Sequence, residues 1–443
     1  MNTIASVLAA MGHRVSGSDQ KSSPILERLE RQGVRTYIGH DAAHLGGVDA
    51  VAFSTAVQQD NVELAEARRR GVPTLSRADI LAAICRTRRT LAVSGTHGKT
   101  TTTAMLAAIL SGTGTDPSFM VGGELAGGQG GAHWGRGPWL VVEADESDGT
   151  FLRLPAEGVI VTSVEADHLD HYGDLATLEA AFAQFVAQAP GPKVVCADDA
   201  GAAPLAAGAD AGAAPVLTYG TSAGADVQAR EVEVAASSAS FAVTAFGRDL
   251  GRFQLDVPGL YNVRNATAAL AMATAIGVGP DVARAALAGY RGVGRRFELR
   301  GTKHGVTYVD DYAHNPGKVR AVLAAARVGG WGRVVAVFQP HRYTRTASLW
   351  PEFAGAFADA DMVVVTGIYA AGESPVPGMS GRTVADAVRA ASPGLVVEYA
   401  EQRSDLVQLL RRLLQPGDLC LTMSAGDLTT LPDELLAEEP GRP

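Results

Sequence analysis

The sequence predicts an α/β protein built on mostly parallel sheets and divided into three blocks. Residues 91–102 read as a buried strand, a tight glycine turn and then a helix. On both sides, short apolar runs alternate with segments of helical spacing, the pattern of strand–helix units and hence of parallel sheets. A length of 443 residues, 47% hydrophobic and 19% charged, suits two to four domains with ample cores.

In the first block, residues 1–84, Ile4, Val7, Leu8 and Met11 have helical spacing and Gly12 ends the helix. A strand follows from residue 14 and stops at Gly17-Ser18-Asp19; helix 25–31, strand 34–38, strand 48–54, helix 61–70, a short strand at Thr74 and helix 77–85 come next. A dinucleotide-type unit would place a strand and a glycine-rich turn ahead of the first helix. The sequence opens on the helix, as if one element late, and is expected to bind its ligand there less tightly. Asp19 then stands where such folds bond a ribose or a base.

The central block runs from residue 91 to about 293. Its first helix starts near Thr100, with Met105, Leu106, Ile109 and Leu110 on one face and Gly112 as the stop. Strands are predicted at 139–142, 159–163 and 194–196. Residues 200–225 read as loop with a poor helix, and 226–257 as an antiparallel excursion. Pro258-Gly259 turns the chain into a helix with Asn262 and Asn265 in its first turn. Gly292-Val293-Gly294 is a hinge into a third block, with strands at 307–309, 334–338, 362–366, 396–399 and 419–423.

Composition narrows the function. A formal charge of -9 argues against wrapping nucleic acid. Cys85, Cys196 and Cys420 have no metal-ligand spacing and read as buried free thiols in a reducing cytoplasm. No apolar run approaches the roughly 20 residues of a membrane span, and no signal peptide is visible.

The chemistry gathers at predicted strand ends. Gly95 and Gly98 let backbone approach a ligand closely, and the following helix N-terminus favours an anion. Lys99 adds a full charge, and Thr100 sets a hydroxyl where a magnesium ion on a triphosphate would lie. Val93 stands where the usual P-loop has its first glycine, so an incidental glycine turn is the competing reading. Glu143 and His168 end two other strands and would suit divalent cations on phosphate oxygens. Asp145, Glu146 and Asp148 add negative potential beside them; a solvated acidic loop is the alternative. Asn262 and Asn265 read equally well as helix caps. Asp311 would accept from a ribose hydroxyl. His341, Arg342 and Arg345 would clamp a carboxylate or phosphate.

Seven motifs occur in the order found in the Mur ligases: Gly-Thr-His-Gly-Lys-Thr-Thr, Glu-Ala-Asp-Glu-Ser-Asp, Glu-Ala-Asp-His, Tyr-Asn-x-x-Asn, Gly-Val-Gly-Arg-Arg-Phe, Asp-Asp-Tyr-Ala-His-Asn-Pro and Pro-His-Arg-Tyr-Thr-Arg. The chain resembles that family over nearly its whole length. The resemblance implies a Rossmann-like UDP-sugar domain at 1–89, a P-loop ATPase-type domain at 90–293 and a Rossmann-like C-terminal domain at 294–443 that closes over both. It implies that Gly95, Thr96, His97, Gly98, Lys99, Thr100 and Thr101 hold ATP phosphates, and that Thr100, Glu143 and His168 hold Mg2+. Asn262, Asn265, Arg295 and Asp311 would contact the nucleotide; His314, His341, Arg342 and Arg345 would position the sugar carboxylate and the amino acid. Ser18, Asp19 and Thr55 would meet the uridine part, and Lys99, His168, His314 and Arg345 would carry the chemistry.

The implied reaction joins L-alanine to UDP-N-acetylmuramate through an acyl phosphate, in a cytoplasmic monomer or homodimer with no nucleic-acid or membrane partner. A related ligase for a peptide or another amine, or an impaired ATP binder lacking a competent UDP-sugar site, are the alternatives. The family's second histidine in the Asp-Asp-Tyr motif is Asn315 here.

Overall fold

A computed structural model gives the fold and describes residues 1–54, 56–126, 130–208 and 214–437. In the first block α1 (Asn2–Ala10), α2 (Pro24–Arg31), α3 (Val62–Arg70) and α4 (Arg77–Cys85) alternate with β1 (Ser16–Asp19), β2 (Arg35–Ile38), β3 (Val51–Phe53) and β4 (Thr74–Ser76). Local chemistry sets the helix ends. The Asn61 side chain accepts from the backbone of Glu63 and Leu64, Gly71 closes α3 in the left-handed region, and Ser76 with Asp79 forms a capping box on α4. β1 pairs with β2 and β3 with β4, both parallel, as two separate two-stranded sheets. A single parallel sheet was expected. Strands inside such a sheet are buried on both faces, whereas every residue of β1–β4 is exposed or half-buried.

The central block contains β5 (Arg89–Ser94), α5 (Lys99–Gly112), β6 (Ser118–Met120), β7 (Ala132–His133), β8 (Trp139–Glu143) and β9 (Gly158–Val161). After α6 (Leu169–Tyr172) and α7 (Leu175–Gln188) come β10 (Lys193–Cys196), α8 (Pro204–Gly208), β11 (Val216–Gly220), β12 (Val227–Val234), β13 (Ala239–Ala245) and β14 (Arg248–Leu255). Two helices, α9 (Leu260–Ala275) and α10 (Pro280–Ala288), complete it. The sheet order is β14-β13-β12-β11-β10-β9-β5-β8-β6-β7. β5 lies between β8 and β9, parallel to both. Leu91, Ala92 and Val93 are fully buried, as a central parallel strand requires. α5 departs from the one-faced helix expected: Thr100 through Ala107 are buried all round. It packs closely on α10, where a Cβ on Gly112 would lie 3.3 Å from Val282.

The third block holds β15 (Glu298–Lys303), β16 (Val306–Asp311), α11 (Pro316–Arg327), β17 (Arg333–Phe338), α12 (Tyr343–Phe353) and β18 (Met362–Thr366). It ends with α13 (Gly381–Ala391), β19 (Val396–Ala400), α14 (Arg403–Leu413), β20 (Asp418–Met423) and α15 (Leu431–Leu436). Its sheet runs β15-β16-β20-β17-β18-β19, parallel except for the edge strand β15. Alternation along β17 feeds two cores. Val334, Ala336 and Phe338 pack with Phe353 and Phe357, while Val335 and Val337 pack with Leu406 and Leu410.

Contacts divide the chain into two compact units. The first comprises Met1–Glu231, Phe241–Phe253 and Arg264–Tyr290; the second comprises Val232–Ser240, Gln254–Val263 and Arg291–Pro443. The first block and most of the central block therefore share a unit, while residues 232–240 and 254–263 group with the third block. The three cysteines are free and buried, as expected. Among the described residues no helix is long and apolar enough to cross a membrane.

Candidate phosphate and substrate sites

In the first unit, the parallel strands β5, β8 and β9 end at one sheet edge. From β5 the chain turns through Gly95, Thr96, His97 and Gly98 into α5. Gly95 has φ +132°, and a Cβ there would fall 2.2 Å from Thr162 Oγ1. Gly98 has φ +81°, and its Cβ would fall 2.5 Å from Asn265 Oδ1. Glycine is needed at both positions. Asn265 Oδ1 also accepts from Thr102 Oγ1 at 3.2 Å, which ties α9 to α5 beneath the turn. Asn265 lies inside α9 rather than at its cap. The loop after β9 supports the other side. Ser163 Oγ accepts from the His97 N–H at 2.9 Å, and the Glu165 N–H donates to Thr96 Oγ1 at 2.9 Å. His97 Nε2 lies 3.0 Å from Glu165 Oε2. Thr100 and Thr101 are buried in the first turn of α5.

Lys99 folds back over this turn. Its Nζ donates to Gly95 O at 2.6 Å and to Glu146 Oε1 at 2.8 Å. Burial alone would lower its pKa, but Glu146, Glu143 and Asp145 outweigh that and raise it, so the ammonium is held charged. Asp145 is held below the ordinary carboxylate range: burial works against this, and the Lys99 charge overcomes it. Glu146 is 2% exposed, and its Oε2 has no hydrogen-bond partner among the described residues. Tyr172 donates to the Glu146 carbonyl; burial and the Glu146 charge push its phenol up to about 12. The sequence marked Glu146 only as part of an acidic run, and its pairing with Lys99 was not foreseen.

Glu143 ends β8, and its Oε2 accepts from the Gly122 N–H at 2.8 Å. A Cβ on Gly122 would sit 2.6 Å from both carboxylate oxygens. His168 takes a left-handed backbone, φ 56°, at the start of α6. Its Nε2 lies 4.0 Å from Glu146 Oε1 and 3.8 Å from Asp167 Oδ2. Among the described residues no three His, Cys, Asp or Glu side chains form a metal-holding group on their own.

Elsewhere in this unit Ser18 Oγ donates to Glu63 Oε2 at 2.6 Å and lies 3.0 Å from His40 Nδ1. Glu63 also meets His44 Nδ1 at 2.8 Å. Asp19 is exposed and accepts from the Lys21 N–H at 3.3 Å. Thr55 lies outside the described residues. The sequence did not single out Glu63, His40 or His44.

In the second unit β16, β20, β17 and β18 end side by side. The Asp311 carboxylate is 4% exposed; its oxygens accept the N–H groups of Phe297 at 2.8 Å and Ala313 at 2.7 Å. Burial raises its pKa against the Arg296 charge. Arg295, at φ 59°, donates to Ser424 O, sits 3.4 Å from Asp310 Oδ2 and lies 4.9 Å over the Tyr312 ring. Buried Gln339 bonds Ser424 Oγ and Asp427 across the same edge. Asn262 donates to Pro258 O at 2.7 Å.

His341 stacks on Tyr369, ring centres 5.7 Å apart, and its Nδ1 lies 3.2 Å from Arg345 Nη1. Its pKa is lowered to about 4 by burial, then by Arg345 and Arg342. His314 is 5.9 Å from His341 between ring centres, with Nδ1 2.8 Å from Tyr312 O. Burial, helped by Lys318 and Arg345, pushes its pKa well below the ordinary value. Arg342 holds φ 66° at the N-cap of α12. Asn315, the departure noted in the sequence, caps α11 by accepting from the Lys318 N–H at 2.9 Å.

A glycine turn with a buried, charged lysine at the end of a central parallel strand defines a phosphate-binding α/β protein. Three domain families match in chain order: the Mur ligase family catalytic domain at residues 1–89, the Mur ligase middle domain at 140–273, and the Mur ligase glutamate ligase domain at 295–426. A UDP-N-acetylmuramate–L-alanine ligase of Pelotomaculum thermopropionicum is 44% identical, with 98% of this chain and 94% of that protein covered. One of the same name from Kineococcus radiotolerans is 47% identical, covering 98% and 93%. The crystal structure of a UDP-N-acetylmuramate–alanine ligase from Thermotoga maritima superposes with TM-score 0.84 at 28% identity, covering 98% and 95%. A murein peptide ligase from Psychrobacter arcticus superposes with TM-score 0.71 at 25% identity, again covering 98% and 95%. The chain belongs to the Mur ligase family.

Proposed function

We propose that this chain is an ATP-dependent ligase that joins L-alanine to the lactyl carboxylate of UDP-N-acetylmuramate, a cytoplasmic step in making peptidoglycan precursors. Identity of 44% and 47% over 98% of the chain with ligases of that name is the observation that carries this reading. The boundaries 1–89, 90–293 and 294–443 are proposed for the UDP-sugar, ATP and C-terminal domains.

The lactyl carboxylate attacks the γ-phosphorus of ATP, ADP leaves, and an acyl phosphate forms. The neutral amine of alanine attacks its carbonyl; phosphate leaves with the bonding pair and the amine gives up a proton. Phosphoryl transfer of this kind needs positioning and charge neutralisation more than covalent help. The glycine turn at Gly95–Thr101, through N–H groups other than those of Thr96 and His97 that bond Ser163, and Lys99 fit that need. Thr100, Glu143 and His168 would hold Mg2+, which supplies charge neutralisation on phosphate oxygens; the orphaned Oε2 of buried Glu146 also fits a nearby cation.

Asn262, Asn265, Arg295 and Asp311 are proposed for nucleotide contacts, and Ser18, Asp19 and Thr55 for uridine. Asp311 would act through the Phe297 and Ala313 loop that it holds. His341 and His314, both neutral near pH 7, can accept hydrogen bonds from the amino group, while Arg342 and Arg345 suit a carboxylate.

The test is phosphate release with ATP, UDP-N-acetylmuramate and a panel of amines, with the product weighed by mass spectrometry. Release that requires all three and favours L-alanine is expected. Preference for a peptide would move the chain toward the murein peptide ligase it also resembles. ATP binding without turnover would make it a non-catalytic binder.

A further inference from the structure

A cavity of about 1100 Å3 lies in the first unit at the N-terminal ends of β5 and β9, the opposite sheet edge from the glycine turn. Four arginines, Arg86, Arg88, Arg89 and Arg153, are among its lining residues, against one acidic residue, Glu157. That local excess of positive charge stands in a chain of formal charge -9. Its remaining wall is mostly apolar, with Leu152, Leu154, Val159 and Phe185, and carries Thr87, Thr90 and Gln188 as its polar residues.

The arginines are not equally engaged. Arg89 forks onto Glu157 and lies over the Trp139 ring at 4.1 Å. Arg153 pairs with Asp79. Arg88 lies over the Trp134 ring at 4.5 Å and donates from Nη1 to Thr87 O at 3.2 Å, and its buried Nε has no hydrogen-bond partner among the described residues. No described carboxylate pairs with Arg88 or with exposed Arg86. Guanidinium forks match carboxylates, sulfonates and phosphates, and apolar walls with a few convergent polar groups are the usual make-up of small-molecule sites.

We propose that this cavity is a second ligand site, separate from the phosphate turn, for a small amphiphilic anion. The acidic head would pair with Arg86 and Arg88, and the apolar or aromatic body would lie toward Phe185 and Leu152.

The probe is anilinonaphthalene sulfonate, which has a sulfonate head and an aromatic body, titrated by fluorescence into the full chain with and without saturating ADP. Saturable binding that ADP does not displace is expected. Arg86→Glu with Arg88→Glu should weaken it about tenfold or more, the usual size for losing a charge-assisted bond. Arg86→Ala alone, a change at an exposed side chain, should weaken it severalfold and keeps the test valid if the double variant misfolds. The uncharged analogue phenylnaphthylamine should bind more weakly than the sulfonate. Displacement by ADP, equal affinity of charged and uncharged probes, or indifference to both arginine variants would each overturn the proposal.

Discussion

Lys99 Nζ lies 2.8 Å from Glu146 Oε1, and the two side chains are only 14% and 2% exposed. From sequence, Lys99 was read only as a full charge added to the glycine turn. The structure makes it the partner of a buried carboxylate. Breaking such a pair on one side leaves an uncompensated charge and costs about 3 kcal/mol or more.

Lys99→Ala is therefore expected to lower both ligation and the unfolding midpoint. Turnover should fall by roughly a hundredfold to a thousandfold, as when a preorganised charge stabiliser is lost. Adding Glu146→Gln should restore much of the stability and none of the turnover. Calorimetric melting beside phosphate-release rates separates the two effects. A Lys99→Ala protein as stable as the parent would show that the pair contributes nothing to folding.

This pair also marks how far the sequence reached. Strands with long apolar runs, β5, β8, β17, β18 and β20, were legible because a buried parallel strand is hydrophobic on both faces. The two- and three-residue strands β6 and β7 carry no usable period, and β11 follows an Ala- and Gly-rich stretch. β15, Glu298–Lys303, is a polar antiparallel edge with no apolar run to betray it. Motif spacing located Glu143 at the end of β8 and His341 just beyond β17, whereas His168, expected at a strand end, stands at the start of α6, well past β9. It carried no information on Glu146 reaching Lys99 across 47 positions, or Asn265 reaching Thr102 across 163. Those contacts follow from strand order, which local pattern does not encode.

Asp310 should make stability depend on pH in an unusual direction. Its carboxyl is fully buried and pushed up to about 6 by burial, with Thr429 and Arg295 offsetting part of that. The unfolded value is 3.8, so between these values the folded chain holds a proton that the unfolded chain has released. This contribution makes stability fall as pH rises through that window, by about 3 kcal/mol in all. The cost is fully present above pH about 6. Asp310→Asn should therefore gain stability relative to the parent as pH rises from about 4 to about 7. Denaturant titrations across that range read it; a constant difference between the two proteins would exclude the titration.

His341 works through the opposite shift. Its folded value near 4 lies below the ordinary 6.5, so the unfolded chain takes a proton first and stability is lost as pH falls from about 6.5 to about 4. In a proton NMR titration its ring should change state near pH 4. Burial is the leading cause, so Arg345→Ala should move the midpoint up only part of the way. A midpoint unchanged by that substitution would separate His341 electrostatically from Arg345.

Gly122 offers a test of the proposed magnesium site that substitutes none of the proposed ligands. Its N–H donates to Glu143 Oε2, and any Cβ there would stand 2.6 Å from both carboxylate oxygens. Gly122→Ala must therefore displace the Glu143 head group while keeping its charge. If Glu143 holds the ion, the variant should need more Mg2+ for half-maximal activity, by about tenfold, and approach parental turnover at high metal. Glu143→Ala and His168→Ala remove a ligand outright and should recover only partly. Changes to the groups that orient metal ligands commonly cost tenfold to a hundredfold in affinity, roughly the range expected here. Magnesium titrations of the three variants distinguish the cases. Half-saturation unchanged in Gly122→Ala and Glu143→Ala alike would remove Glu143 from the site and leave the ion to Thr100, His168 and the phosphates.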